Sequence, residues 1–309
     1  MITNGNRQIK EAATPDGVLQ YRADGNTAEI VGYRGKDAEL VIPEQIEGCA
    51  VAYVGKKAFL SNKLLREIWL PESVVRIDDW AFAYCGKLTR ITLPYHRMEI
   101  GQGIFKECFC LEQIVDEGSH GQERRTADIA WLLAATMSRL DAFYLFDFEN
   151  AGTPDWIRQW DGRMRILMER QDAEGFSKML LCGEEDYGSR ENNLDYYMEQ
   201  RRREKVRLAM LRLMHDYGLE EPMREKLTTY LLTHIKGCES EETWRVILEE
   251  YGDDLRYYRF LTQIGGVTED NFQAMMEDMG GVHTEMKAYL MKYHGEHCGK
   301  EDAFAAFEL

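Results

Sequence analysis

Apolar positions in the first third of the chain recur at a fixed interval of 23 residues. Phe59, Phe82 and Phe105 form one column, and Val54, Ile77 and Ile100 another. Asn62, Cys85 and Cys108 follow, then Leu65, Leu88 and Leu111, then Ile68, Ile91 and Ile114, with Pro71 and Pro94 repeating behind them. So many columns in one register mark a stack of similar supersecondary units. Within a unit, Leu65-x-x-Ile68-x-Leu70 has the alternate spacing of a short strand whose apolar side chains point inward. Pro71 ends that strand because it cannot donate to a ladder. The Ala58-Phe59 pair and its copies are expected on the opposite wall, in a short helical turn, with the Phe ring filling the coil. One unit cannot bury its apolar face alone, so units stack. Leu40, Ile42 and Pro43 form an earlier, partial copy whose offset of 28 places extra residues near Gly48 to Ala52. A departure of that kind is expected of a capping unit. In the last copy Val115-Asp116-Glu117 replaces the Leu-Pro ending, so the solenoid is expected to stop there.

From about Thr126 the apolar spacing becomes helical. Ile129 to Leu140 reads as a buried helix, and the aromatic run Phe143, Tyr144, Phe146 and Phe148 is placed to cover the open end of the solenoid. Glu204 to Tyr217 carries Val206, Ala209, Met210, Leu213 and Met214 on one face. Pro222 suits the first turn of the next helix, which holds Met223, Leu227, Tyr230, Leu231 and Ile235. Gly237, Gly252, Gly265-Gly266, Gly280-Gly281 and Gly295 then punctuate the chain, each expected to end a helix of about three turns. Ser240 and Thr268 are the expected N-caps. Short turns make successive helices antiparallel. The pattern predicts a two-domain α+β protein: a lead-in over 1–26, a solenoid with short parallel strands over 27–118, a polar linker over 119–126, and an all-α domain of antiparallel helix pairs over 127–309.

The columns Ala-Phe, small-or-Cys, Leu-x-x-Ile-x-Leu-Pro and Val-x-x-Ile are carried most fully by IWLPESVVRIDDWAFAYCGKLTRITLP. They resemble the BspA-like leucine-rich repeat found in many bacterial proteins. The resemblance covers under a third of the chain. It implies a right-handed solenoid of the kind typically used for interaction, in proteins many of which are secreted or surface-bound, and it implies no particular activity. Further on, TEDNFQAMMEDMGGVHTEMKAYLMKYH faintly resembles ankyrin-type helix pairs, without their Thr-Pro-Leu-His signature.

Charge narrows the partner. The chain has 54 Asp and Glu against 38 Lys and Arg, a formal net charge of −16. Most of the surplus lies beyond residue 118. An acidic surface repels phosphate backbones and anionic lipid, so neither nucleic acid nor a membrane surface is the expected partner. No apolar run is long enough to span a bilayer, and the first residues lack the apolar core of a signal peptide. The 7 cysteines are expected as reduced thiols in a cytoplasmic protein.

Few side chains suggest chemistry. His294, Glu296, His297 and Cys298 are metal-capable but lack a second ligand pair at fixed spacing, and a solvated tail is the plainer reading. Cys108 and Cys110 have neither redox nor zinc spacing, and Cys108 sits in a core column. Arg201, Arg202, Arg203, Lys205, Arg207 and Arg212 form a basic cluster that either pairs with neighbouring acids such as Glu199 and Glu204 or receives an acidic partner. No cofactor is expected. If Leu65, Ile68 and Leu70 point inward, Glu67 and Trp69 point outward, in columns shared with Arg90 and Gln113 and with Thr92 and Val115. An outward tryptophan on a strand face is an anchor for a protein partner; the same ring also suits packing on the helical part of its own chain. The expected function is a protein-interaction scaffold with Trp69, Glu67, Arg90, Thr92 and Gln113 as its contact residues and an unidentified protein as partner. Two alternatives are an enzyme with a site where the two domains meet and a surface-associated binding protein. Solenoid edges can pair between chains, so a homodimer is a further expectation.

Overall fold

A computed structural model describes residues 8–116, 123–178 and 193–297. The chain falls into two compact units, Met1–Met164 and Arg165–Leu309. The boundary between the two units falls within the helix Pro154–Glu169, and the helix Glu123–Ser138 lies in the first unit.

The first unit contains β1 (Lys10–Ala13), β2 (Gly17–Asp24), β3 (Thr27–Gly35), β4 (Glu39–Val41), β5 (Gln45–Ile46), β6 (Cys49–Val54), β7 (Glu67–Trp69), β8 (Arg76–Ile77), β9 (Arg90–Leu93), β10 (Glu99–Ile100) and β11 (Gln113–Asp116). One sheet runs β1-β2-β3-β6-β8-β10, with β5 paired to β6. A second sheet runs β11-β9-β7-β4, all parallel. The 23-residue columns become its register: Ile68 lies opposite Ile91, and Ile91 opposite Ile114. All three are fully buried.

The third wall differs from the expected helical turn. It is a run of turns whose alternate N–H groups bond to the next coil. Lys57, Phe59 and Ser61 donate to the carbonyls of Asp79, Ala81 and Ala83, and Trp80, Phe82 and Tyr84 donate to those of Gln102, Ile104 and Lys106. The geometry repeats closely. Lys57, Trp80 and Gly103 have φ of 62°, 62° and 60°, and Ser61, Tyr84 and Glu107 have 60°, 61° and 60°. Each coil therefore turns twice through left-handed backbone, which aims every second N–H along the solenoid axis.

Inside, the Phe column is an aromatic stack. Ring centroids lie 5.1 Å apart from Phe59 to Phe82 and 5.7 Å from Phe82 to Phe105. Rings from outside the repeat close both ends. Tyr33 on β3 lies 6.0 Å from Phe59, and Phe146 meets Phe105 edge-on at 6.5 Å. Of the aromatic run, Phe146 covers the last coil and Phe148 packs on Phe146 edge-on at 5.3 Å, whereas Phe143 and Tyr144, in or beside the 3-10 turn Phe143–Leu145, are exposed.

The residues expected as a lead-in build the other cap. β1 and β2 form an antiparallel ribbon with β3. Gly17 and Gly35 face each other there, and a Cβ on Gly35 would overlap the Tyr33 hydroxyl. Asp37, 5% exposed, accepts hydrogen bonds from Thr14 Oγ1, Tyr33 Oη and the Asp16 N–H. Burial pushes the Asp37 carboxyl up, but these three donors outweigh it and hold the group below its ordinary value. Burial, with donation to Asp37, raises Tyr33 to about 12. The extra residues of the partial first repeat form the β5–β6 hairpin, whose two turn residues, Glu47 and Gly48, both have positive φ, as a tight two-residue hairpin requires.

Helix α1 (Glu123–Ser138) follows, so it begins inside the expected linker; residues 119–122 lie outside the described residues. Its Ile129 to Ala135 stretch is buried, and it packs against β11. Helix α2 (Pro154–Glu169) anchors to it through Trp160, whose indole N–H donates to the Leu132 carbonyl at 3.0 Å.

The second unit contains α3 (Leu194–Met214), α4 (Glu221–Leu232), α5 (Glu242–Glu250), α6 (Leu255–Gln263), α7 (Glu269–Asp278) and α8 (Thr284–His297). Helix α3 packs on α4 and α5, and α8 on α6 and α7. Gly237 lies beyond the Thr233 cap of α4 and does not close it, whereas Gly265 and Gly280 close α6 and α7 with φ of 77° and 52°. Gly295 does not: it lies within α8, whose last turn carries His294 and His297. Thr268 caps α7 in a capping box with Asn271. Ser240 does not cap α5; the cap position is Glu241. Pro222 stands in the first turn of α4.

Candidate protein-binding face

The outer face of the four-stranded sheet carries two rows of side chains, fixed by the register of β4, β7, β9 and β11. One row is Glu39, Glu67, Arg90, Gln113; the other is Val41, Trp69, Thr92, Val115. Leu40, Ile68, Ile91 and Ile114 point the other way into the core. The alternation that assigned Glu67 and Trp69 to the outer face therefore holds across the sheet.

Exposure changes along the apolar row. Val41 is 68% exposed, Trp69 and Val115 are half-buried, and Thr92 is 5% exposed. Thr92 was expected as a contact residue, and here the structure corrects the sequence reading. Thr92 is short and is flanked in its row by the larger Trp69 and by Val115, and α1 packs against the next strand. Its hydroxyl is buried with no hydrogen-bond partner among the described residues, as is Arg90 Nε beside it in the polar row. The open part of the face is its β4–β7 end, where Glu39, Val41, Glu67 and Trp69 stand together. Val41 and Glu39 were missing from the sequence reading because the first repeat is out of step with the others.

The remaining candidates are absorbed by structure. Arg201 pairs with Glu204; Arg202 with Asp172 and Glu242; Arg203 with Glu199, Glu249 and Glu250; Lys205 with Asp172; Arg207 with Glu250. Arg212 is buried and donates to the carbonyls of His215 and Tyr217 at the end of its own helix. The basic cluster thus joins elements of the second unit. Cys85 and Cys108 are buried, and their thiols donate to the carbonyls of Phe59 and Phe82, each one coil back, at 3.1 Å. Asn62 in the same column instead accepts from the N–H groups of Leu64 and Leu65. His294 pairs with Glu269 at 3.0 Å and stacks on Phe272, while His297 stacks on Tyr293; Cys298 lies outside the described residues. Among the described residues no group of three or more His, Cys, Asp or Glu converges on a point that would hold a metal ion. No described helix is long and apolar enough to cross a membrane.

The repeat columns have counterparts in known sequences. The family described as BspA type leucine rich repeat region matches residues 39–120 in 6 copies. Among solved structures, a leucine-rich repeat protein of T. pallidum is 37% identical over 34% of this chain and 50% of its own, with a TM-score of 0.31. A leucine-rich repeat protein of Bacteroides ovatus is 25% identical over 34% of this chain and 29% of its own, with a TM-score of 0.30. A leucine rich cell surface protein of Faecalibacterium prausnitzii is 24% identical over 35% of this chain and 30% of its own, with a TM-score of 0.28. This chain spans half or less of the length of each of these three. No curated protein matches. On its columns, its stacked parallel register and its family match, the stretch 39–120 is a BspA-type leucine-rich-repeat region.

Proposed function

We propose that the chain is a non-enzymatic protein-interaction module, and that it engages its partner through the open β4–β7 end of the outer sheet face with Trp69 as anchor. The observation that supports this reading most directly is the company Trp69 keeps: a half-buried indole beside Val41, which is 68% exposed, on strands held rigid by a filled core. A large ring that still has surface to lose, set on a preorganised sheet, is what a binding hot spot requires. Arg90 and Gln113 extend the face towards α1, and Thr92 serves as packing beneath it. A repeat family used for interaction fits the same reading. We place the protein in the cytoplasm, a location supported by the free thiols of Cys49, Cys85, Cys108, Cys110 and Cys238.

The test is affinity capture from the source organism with the wild-type chain beside Trp69→Ala, scored by mass spectrometry after circular dichroism shows both folded. A hot-spot tryptophan contributes roughly 2 kcal/mol or more, so a specific partner should be depleted about thirtyfold in the variant eluate. Equal recovery by both chains would remove Trp69 and this face from the reading.

A further inference from the structure

The register of β4 fixes which of its backbone groups are free. Ala38 accepts from the N–H groups of Arg66 and Glu67 at 2.7 and 3.0 Å, and the Ile42 N–H donates to Trp69 at 2.9 Å. Leu40 lies opposite Ile68 between them. In a parallel ladder alternate residues turn their N–H and C=O to the same neighbour. Residues 38, 40 and 42 therefore face β7, and Glu39 and Val41 turn theirs outward. Among the described residues β4 ends its sheet, and the N-terminal ribbon extends the other sheet past β3 but adds no strand beside β4, so within them the first coil is capped on one wall and open on the next.

Charge along this edge is unbalanced in one sense. Glu39 and Glu67 are directly opposite each other on neighbouring strands, about 5 Å apart at the backbone. Like charges so placed repel. Neither carboxylate takes part in an ion pair among the described residues, although Arg90 is the next member of the row. Immediately beside them the apolar row begins with Val41 and Trp69. An incoming strand would meet, two residues apart, a site that favours a cation and a site that favours an apolar side chain.

We propose that the occupant of this face is an extended peptide segment of a partner protein that adds to β4 as a further strand. It places a basic side chain over Glu39 and Glu67 and an apolar one, two residues along, against Val41 and Trp69. This inference rests on the reading that the outer face of this sheet binds protein, and it supplies that reading with a partner class. Main-chain hydrogen bonds to the outward groups of Glu39 and Val41 give affinity, and the two side-chain sites give register and direction.

The probe is a short blocked peptide alternating lysine and valine, titrated into the isotope-labelled full-length chain while backbone amide resonances are followed. The amides of Glu39 and Val41 should move first and become protected from exchange. Val41→Pro removes an outward N–H and leaves the β4–β7 bonds in place, so it should weaken binding about tenfold, the equivalent of one lost hydrogen bond. Glu39→Lys, or a peptide alternating glutamate and valine, should weaken it at least as much, and added salt should do the same. N-methylation of the peptide amides facing β4 tests the same bonds with the protein unaltered. No perturbation at Glu39 and Val41, or binding indifferent to Val41→Pro and to N-methylation, overturns strand addition. Binding that is lost in Trp69→Ala but survives both changes overturns it while leaving the face reading intact. Self-association abolished by Val41→Pro would show the occupant to be a second copy of this chain and overturn the assignment to a partner peptide.

Discussion

Replacing Phe82 by alanine tests whether the aromatic column is the spine of the solenoid. Phe82 is fully buried and stacks on Phe59 at 5.1 Å and on Phe105 at 5.7 Å. Truncating a buried Phe costs about 3–5 kcal/mol from lost transfer energy and the cavity left behind. Each lost ring pair adds roughly 0.5–1.5 kcal/mol, so the expected loss lies at the upper end, about 4–5 kcal/mol. That is comparable with the whole stability of many domains. Phe146 caps the stack, is half-buried and meets one repeat ring at 6.5 Å; Phe146→Ala should cost about 1–2 kcal/mol by the same reasoning. Because the chain has two compact units, a global melt would mix their transitions. Native-state hydrogen exchange at the amides of Ile42 and Leu70, which bond across the four-stranded sheet to Trp69 and Thr92, reports the first unit alone. A loss below about 2 kcal/mol at those amides would refute the spine. A Phe59/Phe82 double-mutant cycle with coupling near zero would refute the stacking part while sparing the burial part.

Three further outcomes are expected. Asp37 has a depressed carboxyl in the folded state, so its stabilisation is present above the unfolded carboxylate value of about 3.9 and is lost as pH falls through the folded value. Asp37→Asn should flatten the acid limb of stability below about pH 4 in urea titrations, and an unchanged limb would exclude this carboxylate. Lys57 is exposed with φ 62°, and its column-mate Gly103 has φ 60°; Lys57→Gly should stabilise by about 0.5–1 kcal/mol, the relief of left-handed strain less the added chain entropy, read as a higher denaturation midpoint. In the second unit Asp278 accepts from the buried Trp244 indole at 2.7 Å and pairs with Lys236 at 2.8 Å. Burial pushes its carboxyl up, but these two partners hold it below its ordinary value. Asp278→Ala should cost about 1–3 kcal/mol by leaving the indole N–H without an acceptor, with a matching change in tryptophan fluorescence.

The columns were legible because a stacked repeat turns sequence period directly into register. Ile68, Ile91 and Ile114 are 23 apart and become cross-strand neighbours, so period and contact are one observation. The same logic exposed the aromatic cap, since a solenoid end presents rings that something apolar must cover. It failed where the chain leaves the period. β1 and β2 carry no repeat signal and were read as a lead-in, yet the Thr14–Tyr33–Asp37 cluster they bring together closes the first coil. The wall of turns was misread as helical because Lys57, Trp80, Ser61 and Tyr84 give no sign of left-handed backbone; of these two columns only Gly103 carries a glycine. In the second half Gly295 looked like its fellows at helix ends but lies inside α8, which runs on to His297, because a lone glycine weakens a helix without by itself ending it.

The candidate face shows the same division. Alternation within one strand was enough to turn Trp69 outward, but alternation says which way a side chain points and not how much solvent it keeps. Thr92 points outward and is still covered, because its exposure depends on the bulk of Trp69 in the next coil and on elements packed at the far end of the sheet. In this row Val41 keeps the most solvent and Thr92 the least. Among the described residues the face opens towards β4 because the N-terminal cap adds its strands to one sheet and leaves the other sheet's edge bare. Two features then coincide at one place for one reason: the side chains with surface left to lose and the backbone groups with bonds left to make both lie at the end of the solenoid that the described residues leave uncovered. Binding at that end would complete a ladder that the repeat itself begins, which is why the edge, rather than the middle of the face, is where the partner's contribution should be largest.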